Sequence, residues 1–138
     1  MCVRGSNNNV HIDWQRHELA AFVHGDLISI VQVLVNLVTN ALHAAQSSEL
    51  PTVTIKLVSE ANHWSCSVTD NGPGLPANTE QLFEPFYTTK SLKQGLGLGL
   101  SISRQIVDAL DGRLIGRNRT DVRGAKFILL LTKKDTSE

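Results

Sequence analysis

Three kinds of periodicity divide this chain. From residue 26 to 46 the run DLISIVQVLVNLVTNALHAAQ is apolar on nearly every side, and its polar residues do not scatter. At 100° per residue, Ser29, Gln32, Asn36, Asn40 and His43 fall on one narrow stripe. This predicts a long, mostly buried helix, capped at its start by Asp26. TVTIKLVSE (52–60) and WSCSVTD (64–70) alternate apolar and polar positions, as half-buried strands do, around a turn at Asn62-His63. VHIDW (10–14) and AAFVH (20–24) read as two further short strands. LGLSISRQIVDAL (98–110) is an amphipathic helix ended by Asp111-Gly112. RLIGRN (113–118) and AKFILLLT (125–132) close the pattern as strands joined by the turn TDVRG.

Residues 71–99 break all three periods. They hold Gly72, Gly74, Gly95, Gly97 and Gly99, and three of the four prolines. One short helical turn fits inside, at about 78–83. A loop this long in a small domain is a functional segment or a disordered one. The order β-β-α-β-β-lid-α-β-β predicts an α+β fold: a two-layer α/β sandwich with helices on one face of a mixed, mostly antiparallel sheet. The boundaries are a disordered tail over 1–9, one domain over 10–132 with a lid at 75–99, and a polar tail over 133–138.

Composition narrows the function. The chain has 138 residues, 41% hydrophobic and 19% charged, with a formal net charge of zero. That balance gives no electrostatic reason to expect nucleic acid, and no direct membrane contact is expected. The amide stripe and acidic start of the long helix argue against lipid. Cys2 and Cys66 match no metal spacing, and the five histidines form no HxxxH pair with an acidic neighbour.

Two glycine-rich pieces carry the candidate chemistry. GLGLGL (95–100) has neither GxGxxG nor GxxxxGK[ST] spacing, yet it runs straight into a helix. Backbone N–H groups of Gly97, Leu98, Gly99 and Leu100 could meet phosphate oxygens at that helix start, or the segment could be a plain hinge. Asp70 ends a strand just before DNGPG (70–74). Its carboxylate could accept from an exocyclic amine while Gly72 and Gly74 let a flat ring lie close; a plain turn aspartate is the alternative. Burying Asn36 and Asn40 without partners would cost about 1–3 kcal/mol each, so something polar should face them.

Together these pieces resemble the ATP-binding catalytic domain of sensor histidine kinases, a superfamily shared with DNA gyrase, MutL and heat-shock chaperone ATPases. NLVTNALHA (36–44) is similar to the family's N box, DNGPG (70–74) to the G1 box, FEPFYTTK (83–90) to the F box and GLGLGLSIS (95–103) to the G2 box. The wording is most similar to the nitrogen-regulation and dicarboxylate-sensor branch, and the resemblance spans about 10–132. It implies the Bergerat ATP-binding fold with a mobile ATP lid, and ATP and Mg²⁺ as ligands. Asn40 would ligate Mg²⁺, with Asn36 beside it on phosphate or a metal-bound water. Asp70 would take the adenine amine, in a pocket shaped by Gly72 and Gly74. Phe83, Phe86 and Tyr87 would pack the lid, with Thr89 beside them. Lys90 would reach the outer phosphates. Gly95, Leu96, Gly97, Leu98, Gly99 and Leu100 would clasp them. Asn36, Asn40 and Lys90 are thus the expected catalytic groups.

The family's acceptor histidine belongs to a separate helical hairpin. His17-Glu18 echoes its box, but no proline follows at the right place. The resemblance therefore implies an excised, monomeric catalytic fragment. The fragment would be a cytoplasmic domain, and its parent, a homodimer through a dimerisation and phosphoacceptor domain and either anchored in the inner membrane or cytosolic, would serve a response regulator. His43 stands where gyrase-like relatives are acidic and is expected to be structural or to act behind the contacting residues. Asp111-Gly112 replaces Gly-Gly. Ala125 replaces a threonine, removing a hydroxyl expected near adenine. The rivals are an ATPase or serine kinase on the same fold, and a non-catalytic nucleotide-binding scaffold.

Overall fold

Helix α1, Leu27–Ala45, is the spine on which the fold is assembled. The computed structural model describes residues 2–4, 9–16, 27–84 and 99–133, with side chains from residue 28 onward. The expected strand at 20–24 and the Asp26 cap lie outside them. Strand β1 is Cys2–Arg4 and β2 is Asn9–Arg16. After α1 come β3 (Thr52–Ser59), β4 (His63–Asp70), a short 3-10 helix (Thr79–Phe83), α2 (Gly99–Ala109), β5 (Arg113–Asn118) and β6 (Ala125–Thr132).

The strands form one sheet in the order β1-β2-β3-β4-β6-β5. Only β2 and β3 run parallel, joined by the α1 crossover; the other pairs are antiparallel. Helix α1 packs on β3 and β4, and α2 on β5 and α1, so the expected two-layer sandwich is present. Two residues at its margins depart from the expected tails. Val3 pairs with Val10, which places Cys2–Arg4 on the sheet edge. Lys133 donates its N–H to the Asn62 carbonyl and its ammonium to Ser59 Oγ at 2.6 Å.

The core lies between the layers. Along β6, Ala125, Phe127, Leu129 and Leu131 are buried while their neighbours are half-buried or exposed, as an alternating strand with one covered face requires. Val53, Val68 and Leu114 join them from the sheet. Helix α1 contributes Val33, Leu37, Ala41 and Ala45, a single line at i, i+4 spacing. The helix is less buried than its composition predicts: Ile28, Val31 and Val35 are 77%, 47% and 55% exposed. Only one face meets the sheet. The polar stripe of Asn36, Asn40 and His43 lies on the margin of that face, half-buried. By length and mean hydropathy, 1.5 over Ile28–Ala45, the helix would also suit a bilayer; here its buried line is packed on the sheet.

The Asp111-Gly112 stop works with the residues reversed from the usual preference. Asp111 takes the left-handed position (φ 58°), and Gly112 returns its N–H to the Val107 carbonyl at 2.9 Å. Aspartate tolerates that conformation better than most side chains.

Candidate functional site

The two helices meet at Asn36. Its Nδ2 donates to the Gly99 carbonyl at 3.3 Å and to Ser103 Oγ at 3.1 Å. Ser103 is fully buried, so this bond satisfies a hydroxyl that has left water. Asn36 therefore stitches α1 to the first turn of α2, while its Oδ1 receives none of these bonds. Gly99 sits close by: a Cβ there would lie 3.8 Å from Asn36 Cγ. The expected phosphate-facing helix start is thus brought to the amide stripe. Asn40 follows one turn along the stripe, and the buried Nδ1 of His43 has no hydrogen-bond partner among the described residues. The side chain of Leu100 packs on the core.

At the far end of α1 the strand β4 delivers Asp70, only 2% exposed. Its Oδ1 accepts from Gly72 N–H at 2.8 Å and, more weakly, from Ala125 N–H at 3.4 Å. Both bonds fall on one oxygen. Burial pushes the Asp70 carboxyl above the ordinary aspartate value, against the pull of these two N–H groups and of Arg119. Ala125 lacks the expected hydroxyl, and its backbone N–H makes the contact with Asp70.

The glycines of this loop are required for reasons other than an open ring platform. A Cβ on Gly72 would stand 2.9 Å from the Ala44 Cβ, so the loop lies directly on α1. Gly74 has φ 89°, a left-handed turn. Beyond it, Asn118 accepts from Leu75 N–H through Oδ1 at 2.6 Å and donates from Nδ2 to the Leu75 carbonyl at 3.2 Å. At the other end of the loop, Asn71 accepts from Thr52 N–H at 3.0 Å and donates to the Leu50 carbonyl at 2.7 Å. Arg119 donates to the Asp70 carbonyl at 3.3 Å and forks onto Asp121 with bonds of 3.1 and 2.9 Å. That fork holds the exposed Asp121 carboxyl down to about 2.

Phe83 ends the 3-10 helix, buried, with its ring edge-on to Phe127 at 6.4 Å between centroids. Arg104 from α2 covers its other side, 3.8 Å from the ring centre. The same guanidinium bonds Glu80 at 2.9 Å and the Leu114 carbonyl at 2.8 Å, which fixes Phe83 to α2. Asn71, Asn118, Arg119 and Arg104 are all missing from the sequence-derived set. Apart from the Arg119 pair with Asp121, their partners lie ten or more positions away in sequence. Phe86, Tyr87, Thr89, Lys90, Gly95, Leu96, Gly97 and Leu98 lie outside the described residues.

The arrangement offers neutral amide oxygens along α1, a helix start beside them, and one buried carboxylate oxygen at the opposite end. Among the described residues no three His, Cys, Asp or Glu side chains gather to hold a metal ion. A cation here would draw on amide oxygens and on its ligand's own oxygens, which suits a hard ion that keeps water and phosphate partners.

Comparison with known proteins gives a consistent picture. Residues 25–135 match the family described as histidine kinase-, DNA gyrase B-, and HSP90-like ATPase. The sensor protein ChvG of Agrobacterium fabrum is 38% identical over 125 residues, covering 84% of this chain and 21% of ChvG. The C4-dicarboxylate transport sensor protein DctB of Rhizobium meliloti is 43% identical over 91 residues, covering 65% of this chain and 14% of DctB. This chain thus spans about a seventh to a fifth of the length of those relatives. Among solved structures, the catalytic domain of histidine kinase ThkA superposes with a TM-score of 0.78 at 35% identity, over 90% of this chain and 79% of that one.

Proposed function

The chain belongs to the histidine kinase-, DNA gyrase B- and HSP90-like ATPase family, on its sensor histidine kinase branch, and from that premise we propose that it binds ATP and supplies it for phosphoryl transfer. In this reading the γ-phosphoryl group passes to a histidine on a helical dimerisation and phosphoacceptor domain of the parent protein, and from there to a response regulator. The parent is a homodimer acting on the cytoplasmic side.

The observation that carries the reading is the contact of Asn36 with Gly99, which sets the amide stripe of α1 against the first turn of α2. Phosphoryl transfer needs positioned donors and charge stabilisation more than covalent help. N–H groups at a helix start would provide the first. Adenine would lie at the other end, its amine donating to Asp70 Oδ2. Asn40, with Asn36 Oδ1 beside it, would hold Mg²⁺, which would neutralise charge on the phosphates. Lys90 and the glycines at 95, 97 and 99 would clasp the outer phosphates. Asn36 favours transfer over hydrolysis, because an amide cannot act as a general base toward water. A neutral imidazole acceptor makes no such demand.

Calorimetric titration tests the first step. The chain should bind Mg-ATP in the micromolar to low-millimolar range, and Asn40→Ala should lose Mg-dependent affinity while keeping its thermal unfolding profile. Unchanged Mg-ATP affinity in that variant would remove Asn40 from the metal site. The second step is tested by mixing the chain with the helical domain of its own parent and γ-labelled ATP. Acid-labile, base-stable label on histidine is expected; its absence from a folded, ATP-binding pair favours a scaffold.

A further inference from the structure

We infer that Asn118 is a positioning residue for base recognition, holding the Asp70–Leu75 loop in the shape that presents Asp70 to an adenine amine. The inference rests on the nucleotide reading of Asp70 given above. The loop leaves β4 and turns through the left-handed Gly74. Between Asn71 and Leu75 no backbone–backbone bond among the described residues secures it. Side chains hold it instead. Asn71 ties its start to Leu50 and Thr52, and Asn118 ties its end by gripping both the N–H and the carbonyl of Leu75.

That grip copies a strand pairing with one carboxamide. It needs an acceptor and a donor side by side on one planar group, which a carboxamide supplies at any pH. The side chain comes from the last residue of β5. Its neighbour Arg119 holds the Asp70 carbonyl itself. The end of β5 therefore braces both ends of Asp70–Leu75, and the position of Asp70 Oδ2 relative to the loop follows from it. Asn118 is exposed, so its replacement leaves the core intact.

The geometry specifies the test. Asn118→Asp keeps the oxygen that accepts from Leu75 N–H and turns the donor into an acceptor facing the Leu75 carbonyl. Asn118→Ala removes both bonds without adding charge. The readout is the ratio of dissociation constants for ATP and purine riboside 5′-triphosphate, which lacks only the 6-amino group. The wild type should prefer ATP by about tenfold or more, the size of one hydrogen bond to a carboxylate. Both variants should lose most of that preference, to about threefold or less, while their affinity for inorganic triphosphate and their thermal midpoint change little. Retention of the full preference in both variants overturns the role of Asn118 and leaves the Asp70 reading intact. A wild type that binds the two nucleotides alike, or neither, overturns the Asp70 reading and the inference with it. A merely structural Asn118 would lower both affinities together and leave the ratio unchanged, which also overturns the inference.

Discussion

Gly72 and Gly99 look alike in the sequence and should respond in opposite ways to alanine. A Cβ on Gly72 would stand 2.6 Å from the Ala44 carbonyl carbon and 2.9 Å from the Ala44 Cβ. Carbon atoms in contact prefer about 3.5–4.0 Å, so the loop must retreat from α1 by roughly 1 Å. It cannot retreat freely, because the Gly72 N–H holds Asp70 Oδ1 at 2.8 Å and the residue is buried. Overpacking of this kind costs about 1–3 kcal/mol, and weakening a bond to a carboxylate pushes the total to the upper part of that range. A loss of about 2–3 kcal/mol corresponds to a fall in Tm of roughly 8–12 °C for a domain of this size. At Gly99 the nearest atom outside its own helix among the described residues would be 3.8 Å away, an ordinary contact. Gly99→Ala should therefore be neutral or stabilising by up to about 1 kcal/mol, since alanine restricts the unfolded chain. Thermal unfolding followed by circular dichroism, with urea midpoints as a check, separates the two. If Gly72→Ala unfolds within about 0.5 kcal/mol of wild type, or if Gly99→Ala loses as much, the close-approach argument is wrong.

Arg104→Ala should cost about 1–2 kcal/mol in urea unfolding, because it removes the cover of Phe83 and the bond to the Leu114 carbonyl; Glu80→Gln, at the exposed end of the same pair, should stay within about 0.5 kcal/mol, and equal losses would disprove the stacking role. The Cys66 thiol, pushed up to about 11 by burial, should resist iodoacetamide at pH 8 in the folded chain and react once urea unfolds it; peptide mass mapping reads this, and rapid native labelling would contradict the burial. Asp70 should lose its charge on acidification before a solvated aspartate (3.8) does. The folded state then binds the proton more readily than the unfolded one, so stability falls as pH rises from 3.8 through the raised value, and the ATP preference over the des-amino analogue rises across the same window. Titrations at several pH values test this, and a preference that does not fall at all as the pH drops to 3.8 would exclude Asp70 as the acceptor.

Much of the architecture could be read from periodicity alone. The alternation in 52–60 and 64–70 gave β3 and β4 nearly to the residue, and AKFILLLT is β6. These strands have one covered face, so burial writes itself into every second position. Helix α1 was found with its length but not its burial, because Ile28, Val31 and Val35 are apolar yet exposed. Composition cannot distinguish a helix buried all round from one packed on a single face. At the candidate site, Asp70, Asn36 and Gly72 stand out in the sequence because each sits in a local motif. The bonds that place them could not. Asn118 reaches Leu75 across 43 positions, and Asn36 reaches Ser103 across 67. A side chain chosen to satisfy a remote backbone group leaves no trace near itself in the sequence.

Those remote bonds also explain why position 36 carries an amide. Nδ2 faces the Gly99 carbonyl at 3.3 Å, and a carbonyl can only accept. A carboxylate at this point would set two acceptors against each other in a half-buried contact. Ser103 could turn its hydroxyl proton toward the new oxygen, but Gly99 has no such freedom. The start of α2 would then have to move away from α1, taking with it the N–H groups proposed to meet phosphate. A carboxylate at this position would therefore weaken the tie between α1 and the start of α2. In the function proposed above, the hydrogen bond that joins the two helices would also leave no general base at position 36, and so would favour delivery of the phosphoryl group to a nucleophile that needs none.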